Sequence, residues 1–568
     1  MQKEETLDFN EQFTRAYDLM EKSPRNLFIT GRAGTGKSTL LQYFRAHTRK
    51  SVVVLAPTGV AAVNVRGQTI HSFFGFKPDI TPEGARAIRV RKAKKNLYRK
   101  LQAVVIDEIS MVRADLLDCV DVFLRLHGPD KSLAFGGIQM IFIGDLYQLS
   151  PVVASGEKAV FGKKMDGDSG TMYQSPYFFD ARVFAPTPEC HLRKDAEEGH
   201  SGSGFRPPEE RRKDNEAAAA VRPQRFMMEL IELEKIYRQK DQDFIALLNA
   251  IRNNSVTEQH LDVLNKRCLP AFRPEEKEFY IHLTTTNAMA DEINRERLSG
   301  LKGKAHRYEG TLSGGFDIKS LPTQEILDLK IGAQVMLLNN DSRERWINGT
   351  IGKIFAVEKV SGGPDIVRVE LPEGGIVEVT SFTWEMFRFF YNEETGALDS
   401  ETAGSFTQYP LRLAWAVTIH KAQGKTFPKV IVDIGRGTFS HGQVYVALSR
   451  AVTLEGLVLK KPILKKHIWM DRRVVRFMTE YQYRRAEEKC PLEEKRKILE
   501  QAIEDGAAVD ILYLRANDEK TKRVIRPRAV GEMEYNGKTY LGVEAYCFER
   551  KENRIFRVDR ILEMKAAG

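Results

Sequence analysis

Apolar residues come in short runs along this chain, and most runs stop at glycine or at polar side chains. Four fall in the first 152 residues: NLFIT (26–30), SVVVLAP (51–57), LQAVVIDEIS (101–110) and IQMIFIGDLYQLSPV (138–152). Runs of this length, rich in β-branched residues, predict buried strands. Helical character follows the first of them, in STLLQYF (38–44). Several strands with polar groups at their carboxyl ends predict a doubly wound α/β fold, whose ligands sit at that edge of the sheet. From 330 to 404 the pattern changes. AQVMLLNND, GTIGKIFAVE, DIVRVELPEG and GIVEVTSFTW are β-rich runs broken by Gly, Pro, Asn and Asp, which predicts a small barrel. After Pro462 a basic amphipathic helix is predicted over KKHIWMDRRVVRFMTEYQYRR, then β-rich runs in which Asn536-Gly537 signals a hairpin. Residues 188–225, rich in charge, Gly and Pro and without periodicity, read as a flexible connection with no assigned function.

Length and composition narrow the class. At 568 residues the chain exceeds what one core can hold, so several modules are expected. Lys and Arg number 87 against 77 Asp and Glu, a net +10 that favours a polyanionic partner only mildly. No apolar run approaches the roughly 20 residues that span a bilayer, and MQKEETLDFN is too polar for a secretory signal. The five cysteines are scattered without CxxC spacing, so a reducing cytoplasm is expected and a zinc site is not.

The chemistry starts at the first strand. Gly31, four residues, then Gly36, Lys37 and Ser38 match GxxxxGK[ST] in the strand–loop–helix context that a phosphate loop requires. Gly31, Gly34, Thr35, Gly36, Lys37, Ser38 and Thr39 are the expected nucleotide holders, with Lys37 on the β/γ-phosphates and the Ser38 hydroxyl on Mg²⁺. Asp107-Glu108 ends a later strand, where Asp107 would hold the metal and Glu108 would polarise the attacking water. Gln148, past Gly144-Asp145, would sense the γ-phosphate. The cofactors expected are therefore ATP and Mg²⁺. APTGVAAVNVRGQTIHSFFGF (56–76) sets Pro57, Thr58, Gly59, His71 and Phe73 as candidates for single-stranded nucleic acid, by amide–phosphate contact and base stacking. At least two of Phe73, Phe74 and Phe76 are expected to be core.

That segment, with DEISMVRADLLDCVD, LLDCVDVFLRLHGPDKSLAFGG and FGGIQMIFIGDLYQLSPV, closely resembles the petite-integration-frequency (PIF) helicases, 5′→3′ DNA helicases of superfamily 1B and relatives of RecD. Further motifs follow in order: LEKIYRQKD, LTTTNAMADEIN, AVTIHKAQGKTFPKVIVDI and GQVYVALSRAV. The resemblance implies an adenine-reading Gln12, two phosphate-stabilising arginines (Arg238 and Arg450), and Gln423-Gly424 coupling the ATP cleft to a DNA track lined by His420 and Lys421. Gly424 is counted among the nucleotide contacts.

The fold implied is α/β, with two RecA-like P-loop cores of parallel sheet flanked by helices. A first core spans 1–187, and a second spans 226–329 and 405–460. A small wedge insertion is expected at about 77–100, where ARAIRVRKAKKNLYRKL carries eight Lys/Arg and no acid, and an SH3-like barrel at 330–404. A helical linker covers 461–490. The module at 491–568 resembles the SH3/Sm-like WYL domain, although its eponymous triplet reads Thr539-Tyr540-Leu541. The expected partners are single-stranded DNA, 5′-tailed or forked duplexes and G-quadruplex DNA, bound by a monomeric, cytoplasmic, nucleoid-associated motor of bacterial type. An ATPase switch with a WYL sensor, or a translocase that does not unwind, would share the phosphate loop. The complete motif set favours the motor.

Overall fold

The computed structural model describes residues 9–153, 157, 160–161, 173–184, 228–239 and 241–566, apart from single positions 276, 393, 396, 436, 439 and 536. The expected connection at 188–225 lies outside the described residues. The chain divides into two compact units, 1–239 with 274–429, and 240–273 with 430–568.

In the first unit, six strands form one all-parallel sheet. These are β1 (Asn26–Gly31), β2 (Val52–Ala56), β3 (Gln68–Thr69), β4 (Ala103–Ile106), β5 (Gln139–Ile143) and β6 (Met228–Leu233), ordered β3-β2-β4-β5-β1-β6. Helices α1 (Glu11–Lys22) and α2 (Lys37–His47) pack on it through Phe13, Ala16, Met20, Leu40, Leu41 and Phe44, all buried. Parallel strands covered on both faces need apolar runs rather than alternation, which is why the four predicted strands were legible. The sixth was not. Residues 228–233 were expected in the second core but pair with β1 along its whole length, from Asn26↔Met228 to Gly31↔Leu233.

Short helices α3 (Gly59–Asn64), α4 (Ile70–Phe74), α5 (Pro82–Ala87) and α6 (Lys92–Lys100) fill the stretch before β4, and α7 (Ala114–His127) follows it. The basic insertion is thus helical, broken at Ile88–Arg91. Its Leu97 and Tyr98 are buried while Lys94, Lys95, Arg99 and Lys100 stay exposed. The Tyr98 hydroxyl donates to the Phe73 carbonyl at 2.9 Å, fastening α6 to α4.

The inserted β region is larger than the predicted 330–404. A five-stranded antiparallel sheet (334–337, 351–358, 366–370, 376–379 and 411–413) holds a core of Val335, Leu337, Ile354, Val367, Val369 and Leu411. Strands 306–309 and 326–329 pair beside a long hairpin, 382–392 with 397–408, whose second arm pairs with 311–314. Of the second α/β region, Ile281–Thr284 and Ala416–Thr418 pair in parallel within the first unit.

In the second unit Val430–Asp433 and Leu457–Leu459 pair in parallel. Helix Arg472–Lys489 corresponds to the predicted basic helix, and helix Leu492–Glu504 opens the last module. Its five antiparallel strands close on a core of Val509, Ile511, Ile525, Val543, Ala545 and Phe556. The predicted hairpin is there, with Tyr535 opposite Lys538. No helix among the described residues is long and apolar enough to cross a membrane.

Candidate functional site: a phosphate loop with its neighbours

The loop between β1 and α2 lies at the carboxyl edge of the sheet. Gly36 caps α2 with φ +88°, and Gly34 has φ +81°. Gly34 is also where another segment crosses. A Cβ there would lie 2.4 Å from the Cβ of Arg238, and the Tyr237 N–H donates to the Gly34 carbonyl at 2.9 Å. β6 therefore delivers the residues after Leu233 directly onto the loop. Lys37 Nζ donates to the carbonyls of Gly31 (2.7 Å) and Arg32 (3.0 Å), and Thr35 Oγ1 donates to the latter at 3.0 Å. Ser38 and Thr39 are exposed at the first turn of α2, where unpaired N–H groups and the helix dipole favour anions.

Asp107 and Glu108 follow β4. Burial holds the Asp107 carboxyl above the ordinary carboxylate range, while the Glu108 backbone N–H and the Lys37 charge pull it back down. A cation beside it would complete that correction. Glu108 adopts the left-handed region, φ 51° and ψ 42°, unusual for a residue with a side chain. Its Oε2 accepts from Gln423 Nε2 at 3.0 Å. Gln148 is buried, and its Nε2 donates to Asp145 Oδ2 at 3.0 Å.

The other members of the first unit fall into two sets. Arg238 Nη2 donates to the Gly424 carbonyl at 3.2 Å, which brings both expected residues to the loop. Gln12 exchanges hydrogen bonds with Glu234, at 3.3 Å to its carboxylate and 3.4 Å from its N–H. Tyr237 and Asn10 were missed by sequence reasoning. Tyr237 is 44% exposed, its ring lies 3.9 Å from where a Gly36 Cβ would sit, and its hydroxyl oxygen accepts from Asn10 Nδ2 at 3.1 Å. Its place immediately before Arg238 was the available signal. Arg450 belongs to the second unit, where Nε donates to the Val446 carbonyl (2.9 Å) and Nη2 to Ser449 Oγ (2.8 Å).

Among the strand-binding candidates, Thr58 Oγ1 caps α3 by accepting from the Ala61 N–H. Pro57 is half-buried, and Gly59 is pressed against Ser320, whose Cα lies 2.9 Å from a Cβ position there. His71 and His420 are half-buried with ring pKa values lowered by burial, so both are neutral hydrogen-bonding groups at neutral pH; Arg113 lowers His71 further and Asp115 opposes it. Lys421 is exposed. Its ammonium pKa is lowered by partial burial and then by Arg412, against Asp291. Phe73 is corrected. It is 3% exposed, edge-on to Phe74 and Tyr98, and Phe74 and Phe76 are buried beside Phe123, so all three phenylalanines are core. Among the described residues no three His, Cys, Asp or Glu side chains cluster as a metal cage.

Three family models match the chain. They are the PIF1-like helicase over residues 8–165, the UvrD-like helicase C-terminal domain over 413–458, and the WYL domain over 494–566. The ATP-dependent DNA helicase Pif1 of Bdellovibrio bacteriovorus is 30% identical over 463 residues, 80% of this chain and 88% of that protein. The human ATP-dependent DNA helicase PIF1 is 32% identical over 444 residues, 76% of this chain, which spans 58% of the human protein's length. Unliganded Pif1 from Bacteroides sp. superposes with a TM-score of 0.67 at 34% identity, covering 83% of this chain and 97% of that one. The Bacteroides Pif1 bound to ssDNA gives 0.55 at 33% identity, with the same coverage.

Two substitutions test the geometry. Gly34→Ala combines a left-handed strain of about 1–2 kcal/mol with the clash on Arg238. Nucleotide affinity, read by titration with a fluorescent ATP analogue, should fall at least about tenfold; an unchanged Kd would contradict the crossing. Phe73→Leu should lower the melting temperature but leave single-strand affinity within about twofold, because stacking of a base would be worth about 1–3 kcal/mol. A larger loss of affinity would return Phe73 to the track.

Proposed function

The chain belongs to the PIF1-like helicase family, and from that premise we propose that it is an ATP-driven motor moving 5′→3′ along single-stranded DNA and separating duplexes. The observation that carries this reading is the convergence on one phosphate loop of Arg238 across Gly34 and of Gln423 on Glu108. ATP phosphates lie on the loop's N–H groups, and Lys37 turns from the Gly31 and Arg32 carbonyls to reach them. Ser38 and Asp107 are the protein ligands for Mg²⁺, which when bound neutralises charge on the phosphates. Glu108 orients the attacking water and takes its proton, and Gln148, steadied by Asp145, faces the γ-phosphate. Arg238 stabilises the transferring phosphoryl group, and Arg450 is assigned the same chemistry by its motif. Gln12 and Tyr237 offer an amide and an aromatic face for the base.

The strand is held by neutral His71 and His420, by the charge of Lys421 and by the Pro57–Gly59 turn. The solved Bacteroides relatives bound to ssDNA or acting at forked dsDNA support single strands and forks as partners. A G-quadruplex with a single-stranded 5′ flank is a further substrate, held by that flank on the same grip. One chain holds the phosphate loop and both arginines, which supports a monomeric motor. Its place is the bacterial cytoplasm, on nucleoid DNA, a reading that its bacterial relatives support.

The WYL module adds affinity for nucleic acid through its arginines. Two of its arginines are already engaged: Arg554 pairs with Glu552 at 3.1 Å, and Arg557 with Asp559 at 2.6 Å while lying 5.0 Å from the centre of the Tyr540 ring. Their contribution is therefore smaller than free cations would give.

Matched duplexes with a 5′ or a 3′ single-stranded tail decide the direction. With ATP and Mg²⁺ the 5′-tailed duplex should be separated and the 3′-tailed one should not, and Lys37→Ala should abolish separation while still binding the tail. Unwinding from 3′ tails alone, or full activity in Lys37→Ala, would overturn the assignment.

A further inference from the structure

Gln423, Gly424 and Lys425 are consecutive, and each is bonded to a different part of the first unit. Gln423 donates to Glu108, the Gly424 carbonyl accepts from Arg238, and Lys425 Nζ donates to Asn348 Oδ1. Asn348 belongs to the inserted β region, in the turn between strands 334–337 and 351–358. Its backbone N–H donates to Asn340 Oδ1 at 2.8 Å, which fixes the turn. The other end of the same side chain, Nδ2, donates to Asn64 Oδ1 at 3.3 Å. Asn64 is the last residue of α3, the helix capped by Thr58 at the expected strand track.

One side-chain amide thus faces the nucleotide motif with its oxygen and the strand-binding helix with its nitrogen. An amide offers an acceptor and a donor at the two ends of one short side chain. The backbone around it is shaped for the contact. Gly349 has φ +106°, and a Cβ there would lie 3.3 Å from Lys425 Cγ. Lys425 is a demanding partner, since burial and then the Arg412 charge bring its ammonium down to about 8. A cation held in such surroundings gains more than a solvated one from a neutral acceptor.

We propose that Asn348 is a positioning residue that couples the Glu108–Gln423 contact to α3, so that the inserted β region carries the nucleotide state to the DNA track. This rests on the motor reading above. If it holds, single-strand affinity changes between ADP and a non-hydrolysable ATP analogue, and Asn348 transmits part of that change.

The test uses the full chain and a fluorescent oligo-dT, with affinity measured without nucleotide, with ADP and with AMP-PNP. Asn348→Ala should keep basal ATP turnover and nucleotide-free affinity within about twofold, but shrink the ADP-to-AMP-PNP ratio of affinities by about three- to tenfold. Asn64→Ala removes the other end of the bridge and should shrink the ratio similarly. The double variant should be no worse than either single one, as expected for two groups in one interaction. Asn348→Asp, which can accept from Lys425 and from a turned Asn64 amide, should restore much of the ratio. A full ratio in Asn348→Ala, additive losses in the double variant, or collapsed basal turnover would each overturn the coupling role. Absence of ATP turnover or strand binding in the unmodified chain would instead overturn the motor.

Discussion

The segment that follows β6 can cross the phosphate loop only because residue 34 has no side chain. That crossing sets the rest of the site. It places Arg238 over the loop and hydrogen-bonds Tyr237 to the Gly34 carbonyl. It also sets Glu234 within reach of Gln12. Arg238 then reaches the Gly424 carbonyl, next to the glutamine that bonds Glu108. Each hydrogen bond is worth only about 0.5–1.5 kcal/mol net. A loop held by several such bonds is fixed in place and can still be rearranged by the binding energy of a nucleotide, which suits a site that must cycle.

Glu108 illustrates how strain and function meet. A side-chain-bearing residue in the left-handed region costs on the order of 1–3 kcal/mol and persists only where the surroundings determine it. Here β4 fixes one side, and the Met111 N–H bonds the Glu108 carbonyl on the other. Gln423 holds the carboxylate itself. Aiming the proposed general base by a residue some three hundred positions later in the chain is a direct way for events at the proposed DNA track to alter hydrolysis.

Much of this was legible in the sequence, and the reason is locality. The phosphate loop and the Asp107-Glu108 pair are written in contiguous residues whose strand–loop–helix context is equally local. The resemblance supplied Arg238, Gln423 and Gly424 residue by residue. What escaped was non-local or dependent on context. β6 pairs with a strand about two hundred residues earlier, so its sheet could not be read from its own pattern. Strands 306–309 and 311–314 are largely exposed and lack an apolar face, which hid the true extent of the inserted β region. Phe73 has the side chain of a stacking platform. Only the tertiary packing of Phe74, Tyr98 and Phe389 against it makes it core. In the WYL module, Arg554 and Arg557 pair with Glu552 and Asp559, each two residues away, a contact that the sequence spacing permits and only the folded strands fix.

The central claim is that Gln423 governs the water-activating carboxylate of Glu108. ATP turnover of Gln423→Ala, measured across a range of single-stranded DNA concentrations at one ionic strength, tests it most directly. Loss of that bond should lower DNA-stimulated turnover by about tenfold, corresponding to about 1.4 kcal/mol in the barrier, with nucleotide affinity retained. Stimulated turnover equal to that of the unmodified chain would contradict it.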